Sequence, residues 1–239
     1  MFELVWPPWP PWLLELPELL EMEDWVEFGR QDRRAYLDAV REGNLMAMRR
    51  AAYAPGTPRG SAKLERLLEI IEESRDNGWK VVVFSYFHDV LDAVADHLEV
   101  FGPLTGATSA QGRQQLVDAF TACEDHAVLV AQIEAGGVGL NIQAASVVII
   151  AEPQWKPSTE DQAIARCHRM GQVRKVHVHR LLVKDSVDAR VQEIRDHKTL
   201  LFDHYARESD TKHSHASALD SAVSVEQRVV QAEQQRLGL

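Results

Sequence analysis

The stretch that decides the fold runs from Ala127 to Gln172, AVLVAQIEAGGVGLNIQAASVVIIAEPQWKPSTEDQAIARCHRMGQ. A first apolar run, Ala127 to Ala131, leads to a turn built on Gly136, Gly137 and Gly139, and a second run, Val147 to Ile150, follows. Apolar runs without alternation read as strands buried on both faces, as in parallel sheets. The glycines allow positive φ and the close approach of a backbone or a phosphate, a task that falls to the carboxyl ends of strands in an open α/β sheet. Ligand binding is therefore expected on that rim.

After the second run, Glu152-Pro153 and Trp155-Lys156-Pro157 lead to Ser158 and Thr159, which are expected to cap a helix beginning near Glu160. Gln162, Arg166 and Arg169 recur at spacings of four and three, so a helix continuing to Gly171 would present them on one face. Two guanidiniums one turn apart suit phosphate oxygens better than a single carboxylate.

GGVGLN followed by QAIARCHRMGQ resembles motifs V and VI of superfamily-two helicase-like ATPases, in particular the bacterial-type Swi/Snf DNA translocases, over roughly Ser61 to Glu193. The resemblance implies an α/β fold: the second of two RecA-like lobes, an open parallel sheet flanked by helices, with an N-terminal helical insertion and C-terminal helices. It assigns Arg166 and Arg169 as catalytic arginine fingers that reach ATP across a cleft, and adds Gly139 and Gln162 as nucleotide contacts. ATP and Mg2+ would be held mainly by the first lobe, in cis or in trans. Double-stranded DNA is the implied partner. Its contacts would be Ser85 and Tyr86 of motif IV, Thr105, Gly106 and Arg113 of motif IVa, Gly136, Gly137 and Asn141 around motif V, and Trp155 and Lys156. Three positions depart from the family: Glu152 stands for an aspartate, Trp155-Lys156-Pro157 for Trp-Asn-Pro, and Gln132 for a Ser or Thr before the double glycine.

Composition bounds the rest. At 239 residues, 45% hydrophobic, the chain suffices for one full domain with helical additions, not for two RecA-sized lobes. Cys123 and Cys167 form no metal or disulfide spacing, so a reducing, cytoplasmic setting is expected. The net charge is −10, yet Trp155 to Arg180 holds six basic residues against two acidic ones, while Met1 to Gly29 holds seven acids and no base. A polyanion held on one rim fits this segregation; so does ordinary variation of surface charge.

Residues 1–30, rich in Trp and Pro, are read as an irregular arm that would lie against something upstream; they suit neither a signal peptide nor a membrane span. Residues 31–60 read as a helical pair around Gly43-Asn44 plus a linker, the family's small insertion. Residues 61–184 make the main lobe. Within it Val81 to Phe84 is a buried strand with Ser85 and Tyr86 at its end, Tyr86 being either a hydrophobic plug or a contact. Thr105, Gly106 and Arg113 bring a hydroxyl, an approachable N–H and a guanidinium near a helix start, which suits a phosphate. His177 and His179 project to one face of the last strand without a third metal ligand nearby. Residues 185–207 are a bracing helix, and 208–239 a linker and a terminal helix of doubtful independent stability.

No G-x-x-x-x-G-K-[ST] occurs, and no Asp-Glu pair follows a strand as a magnesium site would require. The sequence thus supports half of an ATP-driven DNA translocase, inactive alone, or a nucleotide-independent DNA- or protein-binding remnant. A dinucleotide-binding enzyme fails because GxGxxG with a later acidic residue is absent.

Overall fold

A computed structural model describes residues 16–53, 61–135, 140–195 and 219–239. In chain order the elements are β1 (Leu19–Val26), α1 (Arg30–Arg41), α2 (Leu45–Arg50), α3 (Ala62–Asp76), β2 (Val81–Ser85), α4 (His88–Ala95), β3 (Phe101–Leu104) and α5 (Ala110–Ala122). There follow β4 (Val128–Gln132), β5 (Val147–Ile150), α6 (Pro157–Ile164), β6 (Val176–Val183), α7 (residues 187–195) and α8 (Leu219–Leu237). The six strands form one sheet in the order β1-β6-β5-β2-β4-β3, every pairing parallel. This is the open, helix-flanked α/β sheet expected from the apolar runs.

The runs lack alternation because both faces are covered, and the twofold strand period divides each run between two cores. Val82, Phe84, Leu129, Ala131, Val148 and Ile150 face α5 and α6, meeting Phe120 and Ile164. Val81, Val83, Val128, Val130, Val147 and Ile149 face α3 and α4, meeting Leu67, Ile71 and Leu91. A third core, around Tyr36, Val40, Met48, Val187, Val191 and Val229, joins α1, α2, α7 and α8.

The expectation of an irregular arm over residues 1–30 is corrected where that segment is described. Leu19–Val26 is an eight-residue edge strand in register with β6, from Leu19↔Val176 to Val26↔Val183. Its acids, which meet no base along the sequence, meet bases in space. Glu21 pairs with Arg180 at 2.6 Å, and Asp24 accepts from Arg66 at 2.9 Å and lies 2.8 Å from Nδ1 of His179. The Trp6 to Trp12 segment, the 54–60 linker and residues 196–218 lie outside the described residues.

Burial alone would raise the Asp24 carboxyl, but hydrogen bonds from His179 and Arg66 outweigh it and hold the group below the usual carboxylate range. A depressed folded pKa stabilises above the unfolded value, near 4, and that contribution is lost as pH falls through the folded value. The β1 amides are thus expected to lose hydrogen-exchange protection on acidification before the β2 and β4 amides do, and Asp24→Asn should remove that difference.

The terminal helix, marginal by itself, is held by docking. The Tyr36 hydroxyl donates to Glu233 at 2.7 Å and accepts from the Val187 amide at 2.8 Å. Gln234 donates to the Val40 carbonyl at 2.9 Å, and Arg236 to the Asp185 carbonyl at 2.7 Å. Among the described residues no helix is long and apolar enough to cross a membrane.

Candidate functional site

The carboxyl ends of β2 and β5 meet at Glu152. Its fully buried carboxylate accepts from the Ser85 hydroxyl at 2.9 Å, the Tyr86 amide at 2.5 Å and the Gln154 side chain at 3.1 Å. Burial pushes this carboxyl up, opposed by the Arg49 and Lys63 charges and by the bonds from the Tyr86 amide and the Ser85 hydroxyl. Ser85 is itself fully buried, and its oxygen also accepts from the Phe87 amide at 3.0 Å. The hydroxyl expected to face DNA is therefore used internally, and what it offers the rim is a fixed Ser85-Tyr86-Phe87 turn.

Beside that turn, Tyr86, Trp155 and Lys156, each expected as a DNA contact, line a cleft of about 230 Å³ with Arg49, Glu134 and Gln154. Tyr86 is half-buried, so it both packs and faces the cleft. Lys156 is exposed and precedes Pro157, the first residue of α6. The helix starts there, rather than near Glu160 after a Ser158 or Thr159 cap, because proline's fixed φ suits the first helical position. Sequence reasoning missed Arg49. It is 3% exposed, donates to the Pro153 carbonyl at 2.8 Å, and places its guanidinium 5.8 Å from the Tyr86 ring and 5.9 Å from the Trp155 ring. The only sequence signal was the Arg49-Arg50 pair closing a short, largely apolar helix.

At the β3 and β4 ends, Arg113 does not present an open guanidinium. Its nitrogens donate to the carbonyls of Thr108 at 2.8 Å, Ala135 at 2.9 Å and Gly106 at 3.1 Å, which clamps the Thr105-Gly106 turn to the segment leading out of β4. The Gly106 amide, expected as a phosphate donor, is directed at Oε1 of Gln132, 3.3 Å away. Gln132 thus covers the turn from the position where the resembled family carries a hydroxyl. Thr105 is buried at the edge of the turn, with its amide donating to Thr108 Oγ1 at 3.0 Å.

Gly136, Gly137 and Gly139 lie outside the described residues. Asn141 is exposed and donates to Gln143 at 3.0 Å. The helix expected to continue to Gly171 stops at Ile164. Cys167 bonds back only three residues, to Ile164 at 2.9 Å, and the Arg166 carbonyl accepts from Ile142 at 3.0 Å instead of from a next helical turn. Residues 165–171 are turns packed on the segment that enters β5. Gln172 ties them there, donating to the carbonyls of Gln143 at 2.9 Å and Ala145 at 3.0 Å. Gly171 has φ +99°, and a Cβ there would lie 3.2 Å from the Gln143 side chain.

Gln162, Arg166 and Arg169 therefore do not share one helical face, but both arginines remain available. Arg169 is exposed and Arg166 half-buried, and neither side chain has a hydrogen bond or ion pair to a described residue. Burial lowers the Arg166 pKa, and the adjacent Cys167 offsets this only in part. The contrast with Arg180 is sharp, because that buried guanidinium lies 2.7 Å from Glu160 and 2.6 Å from Glu21. His168, between the arginines, bonds the Pro17 carbonyl at 2.6 Å. His177 stacks on Trp79 at 4.9 Å and His179 faces Asp24. Among the described residues no three His, Cys, Asp or Glu side chains are grouped to hold a metal.

Residues 62–171 match the helicase conserved C-terminal domain. An uncharacterized ATP-dependent helicase of Mycoplasma pneumoniae is 36% identical over 147 residues, which is 60% of this chain but 14% of that protein. The chain thus spans a small part of the curated relatives it matches. The C-terminal part of the Fun30 ATPase domain superimposes with a TM-score of 0.74 at 20% identity, covering 94% of this chain and 99% of the other. The Sulfolobus solfataricus SWI2/SNF2 ATPase core in complex with dsDNA gives 0.67 at 24% identity, covering 90% of this chain and 50% of that one.

Proposed function

We propose, from the premise that this chain carries a helicase conserved C-terminal domain in the fold of a SWI2/SNF2 ATPase C-terminal lobe, that it is the second motor lobe of an ATP-dependent double-stranded-DNA translocase. The observation that carries this reading is Arg166, a half-buried guanidinium with no partner among the described residues, next to an exposed and equally unpartnered Arg169. A charge taken partly out of water without a counter-ion costs free energy. That cost is relieved when a polyanion such as a nucleoside triphosphate arrives.

In this reading ATP and its Mg2+ rest on a first RecA-like lobe, supplied in cis or in trans, and hydrolysis provides the driving free energy. Arg166 and Arg169 neutralise charge on the phosphoryl group in transfer, with Gln162 and Gly139 as further proposed nucleotide contacts, while Gln172 fixes the arginine loop against the entry to β5. The DNA backbone lies along the carboxyl rim, at Tyr86, Lys156, Trp155 and the Thr105-Gly106 turn, with Asn141, Gly136 and Gly137 as further proposed contacts. Ser85 and Arg113 act there by holding turns in place. No Walker A sequence occurs in these 239 residues, and in this reading the cradle for the triphosphate belongs to the first lobe.

The purified chain is accordingly expected to hydrolyse ATP no faster than a buffer blank, with or without duplex DNA. Adding a first lobe should produce DNA-stimulated turnover. Robust turnover by the chain alone, resistant to further purification, would overturn the half-enzyme reading.

A further inference from the structure

Helix α1 carries Arg30, Arg33, Arg34 and Arg41. At about 100° per residue these four and Leu37 fall within an arc of roughly 100°. Asp32, Tyr36, Ala39 and Val40 form the opposite, buried side. All four arginines are exposed. Arg41 pairs with Asp38 at 2.7 Å, whereas the side chains of Arg30, Arg33 and Arg34 have no hydrogen bond or ion pair to any described residue. The acid lying among them, Asp32, is turned inward and accepts from the Ala62 amide at 2.7 Å, at the start of α3.

Three positive charges without a partner among the described residues therefore stand within about one turn, on a chain of net charge −10. Helix stability does not account for them. Like charges three and four residues apart repel, and cations in a first turn oppose the helix macrodipole. Their position suggests what does. Only residues 27–29 separate Val26, at the carboxyl end of β1, from α1, so the arginines stand at the β1 end of the rim that bears Tyr86 and Gly106. Five strand spacings of about 4.8 Å separate β1 from β3, roughly 24 Å. That is about seven steps of 3.4 Å along a duplex.

We infer that the Arg30-Arg33-Arg34 face is a second contact for the phosphate backbone of duplex DNA, continuing the rim to the far edge of the sheet. The inference rests on the DNA-binding reading given above. A rigid duplex is the polyanion that can reach both ends of the rim at once, and guanidiniums suit its phosphates.

The test is fluorescence anisotropy of the full chain with a duplex of about 30 base pairs, titrated from 50 to 200 mM salt. Arg30→Gln/Arg33→Gln/Arg34→Gln is compared with the unaltered chain and with Arg75→Gln, an exposed change at the other end of α3. Three lost phosphate contacts should make the slope of log affinity against log salt shallower by about 2.7, and lower the affinity at 50 mM on the order of tenfold or more. Arg75→Gln should change neither. Binding by the unaltered chain with the same slope in the triple variant overturns this inference and leaves the rim reading standing. No duplex binding by the unaltered chain sinks both. Capture of polyglutamate at this face in preference to duplex makes it a protein-docking surface, and also overturns the inference.

Discussion

With a first lobe restored, Arg169→Ala is expected to lower DNA-stimulated ATP turnover by about 10³- to 10⁵-fold, and Arg166→Ala to act in the same direction. A guanidinium counts most where charge develops, in the transition state, so nucleotide affinity should change far less than turnover. Steady-state turnover and nucleotide titration of the same preparations separate the two. Folding provides a further check. Neither guanidinium bonds a described residue, so neither alanine variant should lower the melting temperature of the chain; for Arg166, relief of partial burial favours a small rise. Intact turnover, or loss of folding, in either variant would make that arginine a structural residue.

The largest effect on stability is expected from Asp188→Ala. Lys63 is fully buried, with Nζ 2.7 Å from Asp188 Oδ2 and 3.3 Å from the Ala151 carbonyl. The same Asp188 oxygen accepts from the Val183 amide at 3.0 Å, so one carboxylate joins the start of α3, the end of β6 and the start of α7. Removing it strands a buried ammonium, and breaking such a pair costs about 3 to 5 kcal/mol. Replacing both partners, as Lys63→Met/Asp188→Leu, should recover most of the loss, because no charge is then left buried alone. Urea denaturation midpoints measure both; a loss under about 1 kcal/mol in Asp188→Ala would mean that water reaches Lys63.

The sheet was legible because four-residue apolar runs such as Val147 to Ile150 carry their burial in their composition. β1 was not, since Glu21 and Asp24 look solvated until Arg180, Arg66 and His179 are brought to them from 42 to 159 residues away. The end of α6 was misjudged for a related reason. Helical spacing continues through Arg169, but the Arg166 carbonyl is taken by Ile142, a partner that local sequence cannot announce. Tyr86, Trp155 and Lys156 share one cleft because residues at strand ends and helix starts converge on a rim in this fold. Ser85, Arg113 and Glu152 have the chemistry of ligand-binding groups, yet the structure commits much of that chemistry to turns. Which of their bonds are internal is set by tertiary contacts.

The eight-pair ladder between β1 and β6 also bears on how the lobe carries load. The strands are parallel and in register throughout. Tension on the chain before Leu19, directed along the strand axis, strains the rungs together in shear. Tension at right angles to the sheet opens them one after another from Leu19. The lobe should therefore resist a lengthwise tug at this edge far better than a peeling one, a mechanical anisotropy that optical-trap pulling in the two geometries would read as different rupture forces.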